Sequence, residues 1–110
     1  MKKVTLYEFE SPDIKISMEI YFNEKNELIF DGYDIGKKVS EAMGDSDYEY
    51  TYCIKYEEAE KMANFFDIDI ADRMAFLKEI KNRFNGNSAY SEFGAFMREN
   101  NIQFDAFTWR

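Results

Sequence analysis

The stretch Ile14-Lys15-Ile16-Ser17-Met18-Glu19-Ile20-Tyr21-Phe22 decides the fold. Apolar side chains at 14, 16, 18, 20 and 22 alternate with Lys15, Ser17, Glu19 and Tyr21, the period of two that gives a strand one apolar face. Upstream, Val4 to Phe9 reads as another strand, closed by Ser11-Pro12-Asp13, a turn that holds the only proline of the chain. Downstream, Asn23-Glu24-Lys25-Asn26-Glu27 is a polar hairpin loop, and Leu28 to Phe30 starts the return strand. Three consecutive strands with short connections predict an antiparallel meander.

Asp31-Gly32-Tyr33-Asp34-Ile35-Gly36 breaks the alternation, and its two glycines predict a turn. Lys37 to Met43 reads as about two helical turns with Gly44 as the C-cap. Asp47 to Lys55 is a fourth strand, with Tyr48, Tyr50, Tyr52 and Ile54 on one face and Glu49, Thr51, Cys53 and Lys55 on the other. If the tyrosine ladder meets helices its rings are core; if it meets solvent it is a rigid contact surface. The polar character of the opposite face favours the core reading.

The remainder has helical spacing. Glu57 to Phe66 brings Ala59, Met62, Ala63 and Phe66 to one side. Asp69 reads as the N-cap of a second helix with Ile70, Met74, Leu77, Ile80 and Phe84 as its stripe, stopped by Asn85-Gly86-Asn87. A third helix from Ser88 or Ser91 presents Tyr90, Phe93, Phe96 and Met97, and Asn100-Asn101 ends it. Ile102, Phe104, Phe107 and Trp109 are too apolar for a free tail and are expected to fold back as a short strand or extended arm. The expected fold is a single α+β domain over residues 1–110: an antiparallel sheet of about four strands, formed by the N-terminal meander, with three C-terminal helices packed on one face.

Composition narrows the function. The chain has no histidine, which argues against serine and cysteine triads and against ordinary zinc sites. Cys53 is the only cysteine, so no internal disulfide or thiolate cluster forms. There is no apolar run long enough to span a membrane. The N-terminal Met1-Lys2-Lys3-Val4-Thr5-Leu6-Tyr7-Glu8 meets an acid before an apolar signal region develops. A cytoplasmic location is the expectation. A sequence pI near 4.6 opposes direct nucleic-acid binding.

The formal charge of −8 is concentrated. Between Glu24 and Glu60 lie Glu24, Glu27, Asp31, Asp34, Glu41, Asp45, Asp47, Glu49, Glu57, Glu58 and Glu60 against Lys25, Lys37, Lys38 and Lys55, a net of −7. Residues 61–110 are neutral overall. Charge that served solubility alone would have no reason to spare that half, whereas complementary fields speed association and set specificity. The expected role is therefore a non-enzymatic acidic module that binds a basic protein. Asp31, Asp34, Asp45, Asp47 and Glu49, with Tyr33 and Tyr48 near them, are the candidate partner-binding residues.

Two chemical readings of the same acids are weaker. Asp45-x-Asp47-x-Glu49 could chelate calcium or magnesium, but a calcium loop requires glycine at its sixth place and glutamate at its twelfth, where Tyr50 and Tyr56 stand. Asp31, Asp34 and Glu49 could supply a carboxylate pair for glycoside chemistry, which needs a deep sugar cleft that so small a domain is ill suited to provide. Cys53 has neither a helix N-terminus nor cations beside it to activate the thiol. No catalytic residue, metal ligand or cofactor is assigned. A metal-dependent enzyme using the aspartates is kept as an alternative. A second is a homo-oligomer in which Phe104, Phe107 and Trp109 pack against a neighbouring copy; monomer and homodimer both fit.

Leu28-x-Phe30-Asp31-Gly32-x-Asp34-Ile35-Gly36, Gly44-Asp45-Ser46-Asp47-Tyr48-Glu49-Tyr50, the helical Leu77–Phe84 stretch and the Phe/Trp-rich end together resemble a pattern in small uncharacterised bacterial proteins. In size, acidity and α+β layout the chain is also similar to immunity proteins of bacterial toxin systems and to phage-encoded inhibitors. That second resemblance implies occlusion of a basic partner, such as a toxin or a nucleic-acid enzyme, and carries no particular residue with it.

Overall fold

In a computed structural model that describes residues 2–36 and 47–109, the chain forms a five-stranded antiparallel sheet in sequence order β1-β2-β3-β4-β5. The strands are β1 (Val4–Glu10), β2 (Ile14–Phe22), β3 (Leu28–Gly36), β4 (Asp47–Ile54) and β5 (Asp105–Trp109). Helices α1 (Tyr56–Phe65), α2 (Arg73–Arg83) and α3 (Ala89–Glu99) lie between β4 and β5. The class is α+β, as the order of patterns predicts, and the helices follow the meander. None of the described helices is long and apolar enough to cross a membrane.

The sheet has five strands rather than four. The C-terminal apolar segment returns to pair with β4, from Cys53 opposite Asp105 to Glu49 opposite Trp109. Burial explains this. Phe104 enters the core edge with its ring 5.0 Å from Tyr52, which brings the following residues alongside β4.

The second correction concerns Asp31–Gly36. These residues continue β3 to Gly36, paired throughout with Ile14–Glu19 of β2 and, from Ile35 back, with Asp47–Thr51 of β4. Glycine and aspartate are poor strand formers by themselves, but here each has a cross-strand reason. Gly32 stands directly opposite Tyr50, and a Cβ added at Gly32 would collide with the Tyr50 ring. Asp34 accepts a hydrogen bond from the Tyr50 hydroxyl at 2.9 Å. The glycine makes room for the ring and the aspartate receives its polar end. Only Gly36, at φ +144°, marks a true departure from strand geometry. The helix expected over Lys37–Met43, with its Gly44 cap, lies outside the described residues.

One sheet face builds the core. Ile20, Phe22, Leu28, Phe30, Tyr52 and Ile54 are almost fully buried there, against Phe76, Phe93 and Met97 from the helices. Leu6 is the extra residue of an irregularity between Thr5 and Tyr7 in β1, and it too is buried. The tyrosine ladder belongs to this face. Tyr52 stacks on Tyr90 of α3 with ring centres 3.9 Å apart and planes 6° from parallel, and Tyr50 meets the same ring edge-on at 4.8 Å.

Helix boundaries follow local chemistry. α1 and α3 are each followed, one residue past the C-cap, by a left-handed residue, Asp67 and Asn101. After each, the next amide turns back into the last turn, Ile68 to the Ala63 carbonyl and Ile102 to the Met97 carbonyl. α2 starts three residues later than the sequence suggests: Asp72 caps it by accepting from the Ala75 amide, while Asp69 accepts from Ala71 in the preceding turn. Phe76 and Leu77, with Ile80, form its buried face, and Met74 is only half-buried.

Candidate functional site

Because opposed residues of an antiparallel pair share a face, the register assigns the outer surface of the sheet row by row. One row runs Thr5, Glu19, Asp31, Thr51, Phe107; the next runs Tyr21, Ile29, Cys53, Asp105. On the other side of the first row lie Glu8, Ser17, Tyr33 and Glu49, then Glu10, Lys15 and Ile35. This face is turned away from the core built by the helices. Phe107 and Ile35 are 47% and 39% exposed on it. Ile29 and Ser17 are buried, and each stands directly opposite a tyrosine, Tyr21 and Tyr33.

Asp31 organises its centre. It accepts hydrogen bonds from the Tyr21 hydroxyl at 2.9 Å and the Thr51 hydroxyl at 2.7 Å, one on each carboxylate oxygen. Burial, then the bond to Asp31, raises the Tyr21 phenol to about 12, so that tyrosine is a fixed donor at neutral pH. Lys3 places its ammonium 4.5 Å from the Tyr21 ring centre. Glu19 and Glu49 flank Asp31 and Tyr33 on neighbouring strands. Among the described residues neither glutamate makes a side-chain hydrogen bond or ion pair. Glu49 is exposed and Glu19 half-buried.

The structure divides the expected partner-binding residues. Asp31, Tyr33 and Glu49 share the outer face, and the Asp47 backbone pairs with Ile35 beside them. Asp34 and Tyr48 stand opposite one another on the helix side and leave the patch. Tyr48 packs against Tyr50 at 5.7 Å. Burial raises the Asp34 carboxyl above its usual value despite the bond from Tyr50. Asp45 lies outside the described residues. The same division separates Asp34 from Asp31 and Glu49 as a carboxylate pair. Among the described residues no three carboxylate, thiol or imidazole groups gather as metal ligands.

Sequence reasoning missed Glu19, Tyr21 and Phe107 as neighbours of Asp31. Glu19 and Tyr21 were visible as the polar side of β2, but their place beside Asp31 depended on β3 continuing past Phe30. Cys53 lies on the same face with its thiol pushed up to about 11, by burial first and then by Glu27 and Asp105. It is a protonated group there.

No protein-family model, no curated protein and no solved structure matches the chain.

Proposed function

We propose that this protein is a non-enzymatic binding module that covers a basic patch of a partner protein with the outer face of its sheet, in the manner of an inhibitor or immunity protein. One observation carries the reading. The face turned away from the helices combines Glu8, Glu10, Glu19, Asp31, Glu49 and Asp105 with Tyr21, Tyr33 and Phe107, against Lys15 and the Lys3 ammonium over the Tyr21 ring among the described residues. Carboxylates attract arginine and lysine at a distance, and tyrosine faces accept guanidinium groups on contact. Five strands and their length make this face about 24 Å by 23 Å, roughly 550 Å² against the roughly 800 Å² that each partner gives to a standard interface. The partner therefore reaches over a sheet edge or makes a small, fast-exchanging contact.

Capture from lysate of the producing cells, with the double variant Glu19→Lys/Glu49→Lys in parallel, tests this. The wild-type protein should retain a basic protein that salt releases, and the variant should lose it. Retention of the same protein by both rules the face out. Exposed Phe107 on the edge strand β5 favours self-association as a second reading. Sedimentation as a monomer at high concentration removes that one.

A further inference from the structure

A depression of about 380 Å³ lies where the β2–β3 hairpin meets the start of α2, lined by Lys2, Phe22, Asn23, Arg73, Met74 and Leu77. Its charge is opposite in sign to the net charge of the chain. Four other depressions among the described residues have two or more carboxylates in their walls: Glu57, Glu58 and Asp105; Glu60, Asp67 and Asp69; Glu8 and Glu10; Glu24 and Glu27. This one has none and has two cations. Phe22 and Leu77 are almost wholly buried, and Met74 is half-buried.

Arg73 is held in position before any ligand arrives. Its guanidinium lies 4.9 Å from the Phe22 ring centre and donates to Asn26 Oδ1 at 2.8 Å. Asn26 is left-handed, φ 61°, within a turn that Asn23 braces by accepting the amides of Lys25 and Glu27. One donor of the guanidinium is thus used for orientation and the others remain for an anion. The amides at the start of α2 are not the recognition element, because the Asp72 carboxylate already accepts from Ala75. Size and lining fit a pre-formed small-molecule site, an apolar wall with a few placed polar groups.

We propose that this depression binds a small organic acid with an aromatic or branched apolar body. The body lies against Phe22, Met74 and Leu77, and the carboxylate is met by Arg73 with Lys2 as the second cation. Of the five depressions, this is the one whose walls carry cations without a carboxylate to repel such an anion.

Amide chemical shifts of the whole protein, followed during titration with 3-phenylpropionate, 3-phenylpropanamide and acetate, test the assignment. Phenylpropionate should shift Phe22, Asn23 and Arg73–Leu77 saturably, and the neutral amide should bind about tenfold more weakly, as loss of a charge-assisted bond predicts. Acetate should fail to saturate. Arg73→Gln should bring phenylpropionate down to the level of the amide, and Lys2→Gln should weaken it less. Both side chains are exposed, so both variants should fold. Equal binding of acid and amide, shifts confined elsewhere, or unchanged binding in the Arg73→Gln/Lys2→Gln double variant each overturn the proposal.

Discussion

Tyr50 lies across Gly32, its direct partner on β3, and reaches past it to donate to Asp34 at 2.9 Å. This pair keeps the unusual Asp31–Gly36 segment in the sheet. A methyl at position 32 would push the ring off its shelf and separate the hydroxyl from Asp34. Gly32→Ala should lower Tm by about 5–15 °C, the result of overpacking by about 1–3 kcal/mol. Tyr50→Phe, which keeps the ring and loses only the bond, should cost less. Thermal unfolding of both variants checks the order.

Asp34 gives the fold a pH dependence of defined sign. Its carboxyl is raised in the folded state, mainly by burial, so between the unfolded and folded values the native protein holds more protons. Stability from this group is greatest below the ordinary carboxylate value and falls as pH rises through the folded one. Asp34→Asn retains an oxygen acceptor for Tyr50 but cannot ionise. The Tm of Asp34→Asn minus that of the wild type should increase from pH 3 towards neutrality. A constant difference would show that Asp34 ionises as freely in the native protein as in the unfolded chain.

Gly94 of α3 lets the helix approach β4. A Cβ there would strike the Tyr52 hydroxyl and lie 2.9 Å from its ring carbon. Gly94→Ala should destabilise by about 1–3 kcal/mol. Tyr52→Phe removes the nearest atom, so the double variant should be less destabilised than the sum, by at least about 0.5 kcal/mol. Denaturant unfolding of the four proteins measures the coupling, and additivity would place the clash elsewhere.

Cys53 should react slowly although it is only partly buried. With its thiol near 11 rather than the usual 9.0, less thiolate is present, and higher intrinsic nucleophilicity offsets part of the loss. Iodoacetamide at pH 8 should alkylate it about 10–100-fold more slowly than a free cysteine peptide. An equal rate would show that burial, with Glu27 and Asp105, does not hold the proton on.

The alternation from Ile14 to Phe22 determined a strand and its two faces, because side-chain direction in a strand follows from sequence period alone. The same holds for the Tyr48–Ile54 ladder and for the asparagine that ends α3, each a short-range effect. The continuation of β3 was not legible. Glycine and aspartate signal a turn locally, and the groups that overrule them, on Tyr50, lie sixteen residues away from Asp34. The fifth strand was open in the sequence for a similar reason: an apolar segment states that it must be buried, and the partner strand decides its form. The candidate face shows the limit most plainly. Its acids were evident from composition, but only cross-strand register put Glu19, Asp31 and Glu49 together and sent Asp34 and Tyr48 to the helix side, since one residue of position along a strand reverses the face.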